Sequence, residues 1–290
     1  MTVALVANIA RPISSALSSA FSMDAMGKLD AYGKLGAWSP LSLFAASEVG
    51  AWYDPSDLTT MFQDRAGSIP VTADGQTVGK ILDKSGRGNH AVAPTDAARP
   101  LYKTDGTYHW MQFDGVDDSL STAAINFTAT DKMSVFAGVR KNSDTTAYAA
   151  VCGLSSAPGT TNGAFEINAP AGGTTFGSYL RGTQTTGYAS SGYAAPVTKI
   201  FSSIYDISGA LRVNEVDARL DGVRFTTTQE GAVDAGTGNF GNHPLYIGQR
   251  GGSTLPFNGN IYSLIVRGAS STTQEITATE SWVNGKTGAF

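Results

Sequence analysis

The stretch 110–120, WMQFDGVDDSL, restricts the fold more than any other part of the chain. Trp110, Gln112 and Asp114 alternate with Met111 and Phe113, and this period of two places Met111 and Phe113 on the opposite, core-directed face of a strand. Asp114-Gly115 then supplies residues that tolerate positive φ. Asp117-Asp118 can hydrogen-bond their own backbone as Asx turns before Ser119 and Leu120 resume an extended run. The acidic residues are read as turn chemistry: a hard cation takes about six or more oxygens and one turn supplies few, so no metal is expected.

Similar runs recur after this point, separated by turn signals, at 133–139, 148–154, 164–168, 175–181, 198–206, 214–220 and 223–228. Many short strands at such spacing predict a sandwich or barrel, and 34 glycines with only 15% charged residues fit a turn-rich chain of that kind. Leu220-Asp221-Gly222-Val223 is the clearest hairpin, because Asp-Gly is favoured in two-residue primed turns. Near the end, Thr272 and Glu275 form a capping box, Ile276, Thr279 and Val283 share one face, and Gly285 is expected to stop the helix.

The first part of the chain reads differently. Val6, Ile9, Ile13, Leu17 and Phe21 are spaced three and four apart and give one apolar stripe if helical, with Pro12 limiting the helix. Arg11 and Pro12 also interrupt what would be the apolar stretch of a secretory leader, so none is expected. Glycines at 27, 33 and 36 break any longer helix, and Tyr32, Trp38 and Phe44 remain as aromatic anchors. The expected organisation is an N-terminal, partly helical arm over 1–47 and a sandwich domain over 48–290. An arm with Val6, Ile9, Ile13, Leu17, Phe21, Trp38 and Phe44 and few charges predicts an assembly interface, with copies of this chain or another protein, and the near absence of basic residues on the helix's polar face argues against a membrane.

Several functions are excluded or weakened by composition. A net charge of −4, with 20 basic residues scattered singly, argues against nucleic acid. The single cysteine, Cys152, cannot form an internal disulfide and sits in an apolar run, where a buried inert thiol is expected. His90, His109 and His243 lie apart, without metal-ligand spacing. No cofactor motif appears.

FDGVDDSL resembles the signature of concanavalin A-like, laminin-G-like domains, as do the loop DKSGRGNHA from Asp83 to Ala91 and the closing run PLYIGQRGGSTLPFNGNIYSLIVRG from Pro244 to Gly268. The resemblance covers roughly 48–285 and implies an all-β fold, a two-sheet antiparallel jelly-roll β-sandwich with Phe113 in its core. Residues 39–91 are also similar to a group of tailed-bacteriophage and prophage virion-associated proteins. This implies a non-enzymatic structural virion protein, a fibre, tail or capsid-decorating subunit assembled in the bacterial cytoplasm. Such a subunit would dock through its arm onto other virion proteins and display the sandwich, with a host-surface glycan as candidate ligand.

Two other functions are weighed against that one. A soluble or secreted lectin is the alternative, supported by the segment 171–196, where Tyr179, Arg181, Tyr188 and Tyr193 lie among Gly, Ser and Thr in a composition typical of adaptable recognition loops. A glycan-degrading enzyme is the third. Concanavalin A-like glucanases carry an E-x-D-x-x-E strand or a close variant, and Glu215-Val216-Asp217 matches its first two acids, but Arg219 or Leu220 stands where the third belongs, so no catalytic residue is assigned.

Overall fold

In the computed structural model, which describes residues 38–290, the acidic turn after Phe113 carries the chain from one sheet to another. The first strands are β1 (Gly50–Tyr53), β2 (Met61–Phe62), β3 (Lys80–Ile81), β4 (Ala91–Val92) and β5 (Leu101–Thr104). Next, β6 (His109–Asp114) and β7 (Leu120–Asn126) flank the turn, followed by β8 (Lys132–Lys141), β9 (Tyr148–Leu154), β10 (Ala164–Ala171), β11 (Phe176–Arg181) and β12 (Thr185–Ser190). The remainder comprises β13 (Val197–Asp206), a single helical turn α1 (Arg212–Glu215), β14 (Val216–Leu220), β15 (Val223–Arg224), β16 (Thr228–Gly231), β17 (Asn242–Ile247), β18 (Asn258–Arg267) and helix α2 (Thr273–Thr287).

One sheet has the order β15-β14-β13-β8-β18-β6-β5, and β1 also pairs with β18, beyond the end of β6. The other has the order β16-β12-β11-β10-β9-β17-β7-β4-β3-β2. Every strand pair among the described residues is antiparallel. The architecture is the expected all-β sandwich with a short C-terminal helix. Its core lies between the sheets. Phe113, Val135, Ala137, Phe201 and Leu264 come from one side and Val151, Phe165, Ile167, Leu245 and Ile247 from the other, all buried. Phe113 packs against Phe257, ring centres 6.1 Å apart, and its ring fills the space a Cβ on Gly248 would need.

Local chemistry explains most of the joints. Asp221 and Gly222 both have positive φ (49° and 78°), the primed turn expected of Asp-Gly, and Leu220 pairs with Val223. In the loop after β3, buried Asp83 accepts bonds from the backbone of Trp52, Ser85 and Asn89, while Arg87 donates to the carbonyls of Phe44 and Glu48. His90 is part of that local network, its Nδ1 accepting from the Asp83 N–H. The loop thereby ties β1 and the 3-10 turn Pro40–Phe44 to the sheets.

The two faces turned away from the core differ. On β8, Met133, Val135, Ala137 and Val139 point inward, so Phe136 and Gly138 point out, and α2 packs on them with Ile276, Thr279 and Val283 buried. Gly138 lets the helix approach: a Cβ there would come within 2.5 Å of Thr287. Trp52 also faces this way and meets Trp282 edge-on at 5.6 Å. Thus, among the described residues, α2 packs on the outer face of the sheet containing β8, β13 and β18.

Several expectations are corrected. The segment 182–190, expected as loop, contains strand β12. Residues 214–215 belong to a helical turn rather than to a strand. Helix α2 passes Gly285 and ends at Gly288, whose φ of 59° suits the left-handed cap. Phe44, expected at the assembly interface of the arm, is buried within the unit Pro40–Phe290, and Trp38 is half-buried. The expected interface positions Val6, Ile9, Ile13, Leu17 and Phe21 lie outside the described residues. Among the described residues no helix is long and apolar enough to cross a membrane.

Candidate functional site

Pairing register builds a row of side chains on the open face of the ten-stranded sheet. Directly opposed residues of antiparallel strands share a face, and Glu230, Gly187, Tyr179, Glu166, Gly153 and Tyr246 are opposed in turn from β16 to β17. Their neighbours in sequence, Phe165, Ile167, Leu180 and Tyr188, point the other way into the core. The Tyr179 ring lies along the backbone of the strands beside it, since a Cβ on Gly177 or Gly187 would fall 2.7–2.8 Å from its carbons.

Glu166 is the chemical centre of this row. It is only 1% exposed, and Arg250 grips it with two charge-assisted bonds, Nε to Oε2 at 2.7 Å and Nη2 to Oε1 at 2.6 Å. Asn168 Nδ2 donates to Oε1 as well, at 2.8 Å. Arg250 comes from the loop after β17, a tight turn closed by its own N–H donating to the Thr254 carbonyl. The Glu166 carboxylate raises the pKa of Arg250 further and keeps the guanidinium charged.

Around this pair is a pocket of about 170 Å³, walled by Tyr148, Pro158, Tyr179 and Thr185 and floored by Glu166 and Arg250. Tyr148 is 38% exposed at its mouth and meets Tyr179 edge-on, ring centres 5.8 Å apart. The Tyr179 hydroxyl is buried and makes no hydrogen bond of normal geometry; burial, then the adjoining Tyr148 phenol, push its pKa far up. The arrangement offers an aromatic wall, one compensated charge pair and polar atoms with unused bonding capacity.

Of the four residues expected to bind ligand, Tyr179 is in this pocket. Arg181 lies on the same face and donates from Nη1 to the Thr185 hydroxyl at 3.0 Å. Tyr188 is 2% exposed and points into the sandwich, where the Arg212 guanidinium lies 5.7 Å from its ring, so it is not available at the surface. Tyr193 is half-buried against Phe176 at 5.7 Å. Glu166, Arg250 and Tyr148 were not anticipated. The available signal was the carboxylate of Glu166 set among the apolar residues Ala164, Phe165 and Ile167.

Other candidate groups are accounted for locally. Asp114, Asp117 and Asp118 can bring ligand oxygens within 4.8 Å of one another, the one such group among the described residues. Those oxygens serve the turn: Asp118 accepts from the Asp114 N–H at 2.9 Å, and Asp114 accepts from Val116 at 2.7 Å. Burial, with the charges of Asp114 and Asp117, pushes Asp118 up to about 6. Glu215 is buried in α1, whereas Asp217 on β14 pairs with Arg219 of the same strand and Arg224 of β15, so the two acids do not form one catalytic face. Cys152 is buried and its thiol pKa is pushed up by desolvation and by Glu166.

No family model matches the sequence, and no curated protein matches it. Solved structures do. The receptor-binding domain of botulinum neurotoxin type G aligns with a TM-score of 0.50 at 10% identity, over 70% of this chain and 48% of that one. The binding domain of botulinum neurotoxin DC in complex with SialylT gives 0.50 at 8% identity, over 70% and 48%. Trypanosoma rangeli sialidase gives 0.52 at 10%, over 88% of this chain and 35% of that one. The chain thus spans about half the length of the neurotoxin domains and about a third of the sialidase. At these identities the likeness is one of fold, a two-sheet antiparallel β-sandwich.

Proposed function

We propose that the sandwich is a non-catalytic carbohydrate-recognition module whose ligand enters the pocket beside Glu166 and Arg250. The observation that carries this reading is a charge pair held in the floor of an open pocket, next to the half-exposed ring of Tyr148. Sugars are bound by such combinations, aromatic carbon against C–H faces and a few fixed polar groups for hydroxyls. One solved neighbour, a neurotoxin binding domain in complex with SialylT, supports the idea that sandwiches of this shape carry sugars. Glycosidic cleavage is disfavoured because Glu166 is, among the described residues, the one carboxylate lining the pocket and is bound twice by Arg250. A tyrosine nucleophile would need a readily ionised phenol, and Tyr179 is shifted the opposite way.

The setting proposed for this module is a virion. The similarity of residues 39–91 to tailed-phage proteins supports display on a particle, with Val6, Ile9, Ile13, Leu17 and Phe21 as the anchor; a free lectin is the alternative. The binding test is a glycan-array screen of the full chain, followed by titration of the best ligand. Tyr148→Ala is expected to weaken binding about tenfold or more with an unchanged melting transition. No binding by the wild type, or undiminished binding by the variant, refutes the site, and sugar release from the array refutes the non-catalytic reading. Mass spectrometry of purified particles decides the virion setting: the chain should be present at a defined copy number.

A further inference from the structure

We propose, on the basis of the carbohydrate-binding reading above, that the pocket takes a single uncharged pyranose at the end of a glycan and excludes sugars bearing a carboxylate, with the Glu166–Arg250 pair setting that choice. Size comes first. A pocket of about 170 Å³ is smaller than the roughly 300–1,000 Å³ of pockets that enclose drug-sized ligands, so it holds one ring and leaves the rest of a chain outside.

Charge decides between rings. The pairing register places Glu166 from β10, Arg181 from β11, Glu230 from β16 and, towards the far edge, Lys80 from β3 on this face, and the loop after β17 adds Arg250 beside Glu166. Arg250 looks like an anion receptor, but Nε and one N–H of Nη2 are already bound to Glu166, leaving Nη1 and the second N–H of Nη2 for a ligand. A ligand carboxylate at Nη1 would be brought beside the Glu166 carboxylate, whose side chain is 2% exposed and therefore poorly screened. Like charges in such a site repel strongly, and the incoming carboxylate would also lose its hydration.

A hydroxyl meets none of these penalties. Glu166 Oε1 accepts from Asn168 and Arg250, whereas Oε2 accepts only from Arg250 Nε, so one acceptor position remains on Oε2. A sugar hydroxyl can donate there and accept from Nη1 at once, a cooperative pair that a carboxylate cannot make because it has no proton to donate. Tyr148 offers its ring to the apolar face of the pyranose.

The test uses the full chain and pairs of glycans that differ only in a terminal sialic acid. Expected binders end in neutral pyranoses, and capping the bound terminus with sialic acid should lower affinity about tenfold or more, reversed by enzymatic desialylation. Glu166→Gln keeps the shape and removes the buried negative charge, so it should raise affinity for the sialylated partner about tenfold over wild type. Wild-type preference for sialylated glycans, lost in Arg250→Ala, would overturn the exclusion while leaving carbohydrate binding intact. Absence of binding to every glycan would overturn both. If the Gln variant folds poorly, the wild-type comparison of capped and uncapped pairs decides alone.

Discussion

Replacing Glu215 by Gln should stabilise the protein at alkaline pH and make no difference at acidic pH. Glu215 is fully buried, and its two carboxylate oxygens share the Ala235 N–H, at 2.9 and 3.0 Å. Burial, reinforced by the negative charges of Asp234 and Asp206, raises its pKa from 4.5 to about 7. The folded state therefore holds a proton that the unfolded chain releases between about pH 4.5 and 7. The stability from this proton is fully present below pH 4.5 and is lost as pH rises through 7. At about 1.4 kcal/mol per pH unit the loss approaches about 3 kcal/mol. Gln cannot ionise, and its amide oxygen can still accept from Ala235. Urea unfolding of both proteins at intervals from pH 4.5 to 8.5 measures the difference directly. Asp118, also raised, titrates in both proteins and cancels. A stability difference that stays constant across this range would refute the reasoning and mean that Glu215 is solvated.

Two further outcomes follow from the core. Phe113→Ala, at a fully buried site against Phe257 and Gly248, should cost about 3–5 kcal/mol in denaturant unfolding, and a loss under about 1 kcal/mol would remove Phe113 from the core. Cys152, buried with its thiol pKa raised, should resist a thiol-specific chromogenic reagent in the native protein and react only upon unfolding; rapid native labelling would contradict its placement.

The parts of the fold that could be read from sequence were those governed by local rules. The Asp221-Gly222 turn needs two positive φ values, which Asp-Gly supplies, and the Thr272–Glu275 box satisfies two helix N–H groups reciprocally. The end of α2 was misplaced because a glycine in a helix costs only about 1 kcal/mol, and Gly285, with open space around it, is tolerated there. Strand β12, TTGYAS, carries little apolar alternation and is held by pairing with β11 and β16 rather than by its own pattern. That pairing also turns Tyr188 inward, two strands' worth of register that a single segment does not encode. The pocket was illegible for the same reason: Tyr148, Glu166, Tyr179 and Arg250 come from three strands and a loop, and only the sheet order brings them together.

The asymmetry of the two outer faces bears on what the molecule is for. A subunit that served only as a spacer could cover both sheets with apolar contacts, as α2 does with Phe136 and Ile276 on one side. On the other side the chain holds an ion pair whose acid, Glu166, is buried and whose Arg250 is 32% exposed. Replacing such a pair by packed apolar residues is often neutral or stabilising, whereas removing one member leaves an uncompensated charge at a cost of about 3–5 kcal/mol. Glu166 and Arg250 are therefore an expensive way to build a wall and an effective way to build a floor with fixed polarity, already ordered before any ligand arrives. Preorganisation of that kind lowers the entropy lost on binding. On the proposed carbohydrate-binding reading it would also separate two roles within one chain: the sheet under α2 stabilises the sandwich, and the other sheet carries the polar pocket.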